Sequence, residues 1–180
     1  NSQGQIWDLS LIDGQLISGT NEGTFVINNT SLQKISSVNG GWVIKKLTSN
    51  PNYLIQGTYL GLVLYQKDAA GKWKFSHAIE GFEEPARYVE QDAKGQFWVT
   101  HAYKGVYRIN VSGDLKKVTS IKYYDASKGL PGNNNVNIFF VEGRIVFSSD
   151  KGFYLYDDLN DTFKPYSELN KLLGGFAFSN

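Results

Sequence analysis

Short apolar runs of five or six residues recur along the chain, separated by tight polar turns, and four times they follow one order. A two-residue turn leads into an apolar strand, a tight turn ends in Gly, and an aromatic-rich strand follows. The copies run over Asp13–Ile27, Asn52–Tyr65, Lys94–Ile109 and Glu142–Tyr156, and their anchoring glycines, Gly23, Gly61, Gly105 and Gly152, lie 38, 44 and 47 residues apart. A repeat of this length built from short strands predicts β-propeller blades, since one such unit cannot bury both its faces alone. β-Branched and aromatic residues dominate and glycines interrupt, so helix is expected only as a turn over Ser167–Leu173.

Each unit divides into four antiparallel strands, a to d from inside outward. The expected strands are Gln5–Ile12, Gln15–Thr20, Thr24–Asn28 and Leu32–Ser36 in the first blade, then Trp42–Thr48, Tyr53–Thr58, Leu62–Gln66 and Trp73–His77 in the second. The third uses Arg87–Gln91, Gln96–Thr100, Val106–Asn110 and Val118–Tyr124, and the fourth Asn137–Val141, Arg144–Ser149, Phe153–Asp157 and Phe163–Tyr166. The blades thus occupy about 5–36, 42–77, 87–124 and 135–166 of a single all-β segment, 1–180. Asp13-Gly14, Lys94-Gly95 and Glu142-Gly143 are hairpin signals, and Asn50-Pro51-Asn52 replaces them in the second copy. The c strands are apolar at nearly every position, which predicts burial on both faces. Gly19, Gly57, His101 and Ser148 stand four residues before the anchoring glycines, where the backbone is expected to take positive φ or to pack closely against the next blade.

Gly40-Gly41-Trp42-Val43-Ile44, which opens the second blade, is matched by Gly174-Gly175-Phe176-Ala177-Phe178. Residues 174–180 therefore read as the start of a further blade. The expectation is an incomplete arc of a larger ring of the seven-bladed type, with a closed four-bladed ring and a homodimer of two arcs as alternatives.

Composition removes several classes of function. A formal charge of +1 and a pI near 8.0 give no field that would draw in nucleic acid. Cys is absent, which removes disulfides and thiolate chemistry. No apolar run approaches the ~18 residues of a membrane-spanning helix. The chain begins at Asn1-Ser2-Gln3 without an initiator Met and reads as a piece of something longer. His77 and His101 are the two histidines, with no carboxylate at ligand spacing, so no metal site is predicted. Glu83 and Glu84 diverge on an extended backbone, and no Gly-x-Ser-x-Gly elbow orders a nucleophile. Neither a catalytic residue nor a cofactor is predicted. The four Trp residues are expected to fill space between blades.

Gly129-Leu-Pro-Gly-Asn-Asn-Asn-Val136, followed by Glu142-Gly-Arg-Ile-Val-Phe-Ser-Ser-Asp-Lys-Gly152-Phe, resembles the two-component-regulator propeller repeat. Lys94-Gly-Gln-Phe-Trp98-Val-Thr and Gly57-Thr-Tyr-Leu-Gly-Leu62 match its later part. Val146 stands where that repeat usually has Trp, and only the fourth unit carries the Gly-Leu-Pro entry. The resemblance implies the periplasmic or extracellular sensor region of a membrane-anchored regulator, a sensor histidine kinase, whose kinase and output modules would lie outside this segment. Related members respond to polysaccharide fragments, so the implied partners are an oligosaccharide and the remainder of the parent sensor.

Antiparallel order places the b–c and d–a connections on one rim. Trp42, Tyr59, Arg87, His101, Tyr103, Asn134 and Asp150 gather there as candidate ligand contacts. Aromatic rings beside planar polar groups suit sugars, which stack by their apolar faces and present hydroxyls at their edges. The expected function is non-catalytic glycan sensing. A protein-interaction scaffold is the first alternative, and a glycan-processing enzyme is the second. His77 reads as a strand residue without a chemical duty.

Overall fold

The computed structural model describes residues 4–173, so the further strand expected at 174–180 lies outside the described residues. Four four-stranded antiparallel sheets form, each in sequence order, the arrangement of propeller blades. The first sheet is β1 (Ile6–Ile12), β2 (Gln15–Thr20), β3 (Gly23–Asn28) and β4 (Ser31–Ser36); the second is β5 (Ile44–Lys46), β6 (Tyr53–Thr58), β7 (Gly61–Lys67) and β8 (Trp73–Ala78). The third is β9 (Tyr88–Gln91), β10 (Phe97–His101), β11 (Gly105–Val111) and β12 (Val118–Tyr124); the fourth is β13 (Asn137–Val141), β14 (Arg144–Ser149), β15 (Gly152–Asp157) and β16 (Thr162–Pro165). The expected helical turn is α1, Ser167–Leu173. A 3-10 turn over Ala126–Lys128, capped by the Asp125 carboxylate, went unforeseen.

All four anchoring glycines take positive φ, between 92° and 135°. The strand a expected at Trp42–Thr48 is shorter, Ile44–Lys46. Leu47 N–H still donates to Tyr53 O in the same register, while Trp42 N–H donates to Gly57 O one residue out of it.

The chain divides into two compact units, one of residues up to Val89 together with Val111–Thr119, the other of Glu90–Asn110 together with Ser120 onward. In the first unit, one flank of the first sheet (Ile17, Val26) packs against Ile44, Leu54, Val63, Tyr65 and Trp73 of the second. Burying each such side chain is worth roughly 1.5–3 kcal/mol. A buried hydrogen-bonded group sits within this layer, although the Trp73 indole N–H beside it finds no partner among the described residues. Thr24 and Tyr65 hydroxyls both donate to Gln56 Oε1, at 2.7 and 2.6 Å, and Gln56 Nε2 donates to Trp42 O at 3.2 Å. Burial raises the Tyr65 phenol above its ordinary value, so it stays a donor. A methyl group on Gly57 would meet the Ala86 carbonyl oxygen, which is the close approach that the sequence required of this position.

Segment 112–118 is stitched to β8. His77 Nε2–H donates to Leu115 O (3.0 Å) while its Nδ1 accepts from Ser76, and Glu80 bridges in parallel to Lys117. His77 thus has a structural duty that the sequence did not show.

The second unit is held by aromatic rings. Trp98 of β10 lies 5.2 Å from Phe147, 4.8 Å from Tyr156 and 5.7 Å from Tyr124, centroid to centroid. Arg108 places its guanidinium 4.9 to 5.7 Å from the Trp98, Tyr124 and Tyr156 rings, a cation–π cage filled from within. Asp161 ties the sheets further. Its Oδ1 accepts from the Tyr124 (3.0 Å) and Tyr156 (2.6 Å) hydroxyls, and its Oδ2 faces Lys122 at 2.6 Å. α1 closes the edge of β15, where the Asn170 amide accepts from Phe153 N–H and donates to Phe153 O.

Lys122 and the tyrosine hydroxyls hold the Asp161 carboxyl well below the usual carboxylate range. A depressed folded-state pKa contributes stability that is present above the unfolded value, near 3.8, and is lost as pH falls through the folded one. Asp161→Asn should therefore lower the melting temperature at pH 7. The gap to wild type should stay level down to about pH 5 and close progressively below about pH 4. Thermal melts followed by circular dichroism across that range check this.

Candidate functional site

In the first unit the connection from β4 to β5 is folded onto the β2–β3 and β6–β7 turns. Gly40 N–H donates to Asn21 O, Gly41 N–H to Thr20 O and Tyr59 N–H to Asn39 O. Trp42 is pinned at both backbone groups, its N–H by Gly57 O and its carbonyl by Gln56. Its ring meets Tyr59 edge to face, with centroids 4.9 Å apart and planes at 72°. The Tyr59 ring lies directly over Gly40, which has φ +72° and no side chain to obstruct it. Both rings are half-buried, and Leu60 beside them is 68% exposed. The result is a preformed aromatic corner whose geometry is set by backbone. Arg87, in the same unit, sets its guanidinium 5.4 Å over the Tyr88 ring.

In the second unit three segments carry the remaining candidates. Asn135 N–H donates to Ala102 O, and Lys151 Nζ donates to Pro131 O, so the β12–β13 connection is joined to the turns after β10 and β14. This gathers Tyr103, Asn134 and Asp150, all exposed, around a shared edge.

His101 differs from its expected place. The pairs Thr20↔Gly23, Thr58↔Gly61, His101↔Gly105 and Ser149↔Gly152 align it with two threonines and a serine rather than with Gly19 and Gly57. The third blade's b–c turn, 102–104, is one residue longer than the others, so Thr100 and not His101 takes the place of Gly19 and Gly57, pairing with Val106 as they pair with Thr24 and Leu62. The side chains of Thr20, Thr58 and Ser149 each accept the N–H two residues on at 3.1 Å. His101 Nδ1 accepts Tyr103 N–H at 3.0 Å in the same manner, and its ring is buried. His101 is a turn cap that positions Tyr103, 6.3 Å away ring to ring.

Among the described residues no group of three or more His, Cys, Asp or Glu is placed to hold a metal ion, and no helix is long and apolar enough to cross a membrane. Sequence reasoning passed over the Arg108 cage. The signal available was a lone charge inside the otherwise apolar run Val106-Tyr-Arg-Ile109.

No protein-family model matches the chain, and no curated protein does. Solved structures do. The extracellular domain of a putative one-component system from B. thetaiotaomicron superposes with a TM-score of 0.68 at 17% identity, over 90% of this chain and 21% of that one. The extracellular domain of a putative hybrid two-component system from the same organism gives 0.60 at 19% identity, over 84% of this chain and 21% of that one. The CNH domain of AfRom2 gives 0.57 at 12% identity, over 97% of this chain and 60% of that one. The chain spans about a fifth of the length of the two bacterial domains. It has the fold of a stretch of those extracellular domains, which fits the two-component-regulator propeller repeats read in its sequence.

Proposed function

We propose that this chain is part of the extracytoplasmic, ligand-sensing propeller of a membrane-anchored bacterial regulator of the two-component kind. It acts without catalysis, binding glycan fragments on the edge that carries the b–c and d–a connections. The likeness to extracellular domains of one-component and hybrid two-component systems supports the sensory role. The observation that carries the glycan reading is the Trp42–Tyr59 corner, because two rings at 72° give one flat face for a sugar ring and one edge beside it. Across the second unit's edge, Tyr103, Asn134 and Asp150 supply an exposed ring and planar hydrogen-bonding groups of the same kind.

Glycan-array screening followed by calorimetry tests this reading. Trp42→Ala and Tyr59→Ala should each weaken binding of the oligosaccharide so found by about 2- to 10-fold, given ~0.5–1.5 kcal/mol per aromatic contact. Oligosaccharide binding that ignores both substitutions would remove the corner from the site. A protein partner is the second reading, with Leu60, exposed beside the corner, as the residue to test. A Leu60→Asp variant that loses a partner while glycans fail to bind at all would establish it.

A further inference from the structure

One flank of the first sheet packs on the second through Ile17 and Val26, and the opposite flank stays open. Strand register puts Leu9, Leu11, Leu16, Phe25, Ile27 and Leu32 together on that open flank. Leu11, Leu16, Ile27 and Leu32 stand directly opposite one another, so one apolar row crosses all four strands. Its two ends are accessible, Leu11 at 73% and Leu32 at 54%, and Leu9 is 56% exposed. Of the polar residues on this flank, Ser18 and Thr20 are buried, and Lys34 extends over the Phe25 ring, 5.6 Å from its centre. No strand residue of the flank is a carboxylate.

The repeat shows what this surface is built to receive. Counted along the ladders, Leu9, Leu16, Ser18, Phe25 and Ile27 occupy the positions of Ile44, Leu54, Gln56, Val63 and Tyr65 in the second sheet. Those five residues form the face against which the first sheet packs. The open flank therefore repeats the receiving half of an inter-sheet contact already present in this unit. A contiguous apolar surface of this extent marks an interaction face.

We propose that a second copy of this chain covers the flank, the two first sheets packing face to face about a two-fold axis parallel to their strands. β1 of each copy then lies over β4 of the other, so Leu11 meets the partner's Leu32 and the apolar row closes on itself. The two Lys34 side chains fall at opposite edges, and no like charges meet. Four strands about 4.8 Å apart, six residues long at about 3.3 Å each, give a footprint of roughly 400 Å² per copy. With side-chain relief the pair buries roughly 1,000 Å² of accessible surface, the lower end for a specific interface, and its dissociation constant is ~1–100 µM. This dimer differs from a ring of two arcs, in which the fourth sheet of one copy would meet the first of the other.

Sedimentation velocity of the full chain at ~1–300 µM tests the proposal, with a reversible monomer–dimer equilibrium as the expected result. Leu11→Lys and Leu32→Lys should each weaken dimerisation at least about 10-fold, since each buries an ammonium group against leucine. Both positions are exposed in the monomer, whose circular dichroism should not change. Leu11→Lys combined with Leu32→Glu should recover most of the loss. Within one chain these positions are three strand spacings apart, about 14 Å, so the introduced charges meet only across the two-fold. A monomer at every concentration would give the flank to another protein and overturn the proposal. So would a dimer indifferent to both lysine variants, or a double variant no tighter than Leu11→Lys alone. Phe139, 44% exposed on the face of the fourth sheet turned away from Trp98, supplies the last arm. Loss of the dimer on Phe139→Lys would favour the ring of two arcs and refute the two-fold pairing. The glycan experiment has its own variants and readout, so failure of either proposal leaves the other standing.

Discussion

Trp98→Ala should destabilise the protein by about 3–5 kcal/mol, the range for removing a buried aromatic side chain. Trp98 is 3% exposed and touches rings from both sheets of its unit, Tyr124 on one side and Phe147, Tyr156 and Phe163 on the other. Its loss leaves a cavity that these neighbouring rings cannot fill without leaving their rotamers. It also strips one wall from the Arg108 cage and frees the Asp92 oxygen that accepted the indole N–H. Trp98→Phe should cost less, because it keeps part of the volume while losing the hydrogen bond. Urea denaturation of both variants measures the difference. A loss below about 1 kcal/mol for Trp98→Ala would mean that the two sheets do not meet through this ring.

Gln56→Ala should cost roughly 2–5 kcal/mol, although the residue is polar. Its side-chain oxygen is the shared acceptor for the buried Thr24 and Tyr65 hydroxyls. Removing it leaves the buried Thr24 hydroxyl without its acceptor, at about 1–3 kcal/mol, while Tyr65 keeps Thr24 Oγ1 at 3.0 Å, and the lost side-chain volume adds to the cost. Replacing all three partners with apolar shapes, as Gln56→Leu with Thr24→Val and Tyr65→Phe, should destabilise less than Gln56→Ala alone, because only the Trp42 carbonyl then loses a partner and the volume is kept. If the triple variant is the worse, the network stabilises by itself and the desolvation account is wrong.

The blades were legible because their signals are local. Short apolar strands and turn glycines are visible within about fifteen residues, that phrase returns at Gly23, Gly61, Gly105 and Gly152, and the helical turn at Ser167–Leu173 appeared where its composition allowed. What escaped depends on partners distant in sequence. His101 was misaligned because one extra residue in a turn is invisible until strand register is known. The role of Gln56 required Thr24, which lies 32 residues before it on another sheet. Arg108 looked like an irregularity in an apolar strand until Trp98, Tyr124 and Tyr156 closed around it. Of the candidate site, residue types and rim were readable from antiparallel order. The contact of Trp42 with Tyr59 was not, since it depends on the Gly40 backbone passing beneath the Tyr59 ring.

The central claim is that each repeat is a separate blade, made stable by burying its flank on a neighbouring sheet. Nuclear Overhauser effects between side chains test it most directly. The account predicts strong cross-peaks between the Thr24 methyl and the Tyr65 ring, and between the Trp98 indole and the Phe147 ring, contacts that join different sheets within each unit. Cross-peaks confined to the hairpins, with neither of these inter-sheet contacts in an otherwise well-dispersed spectrum, would contradict it.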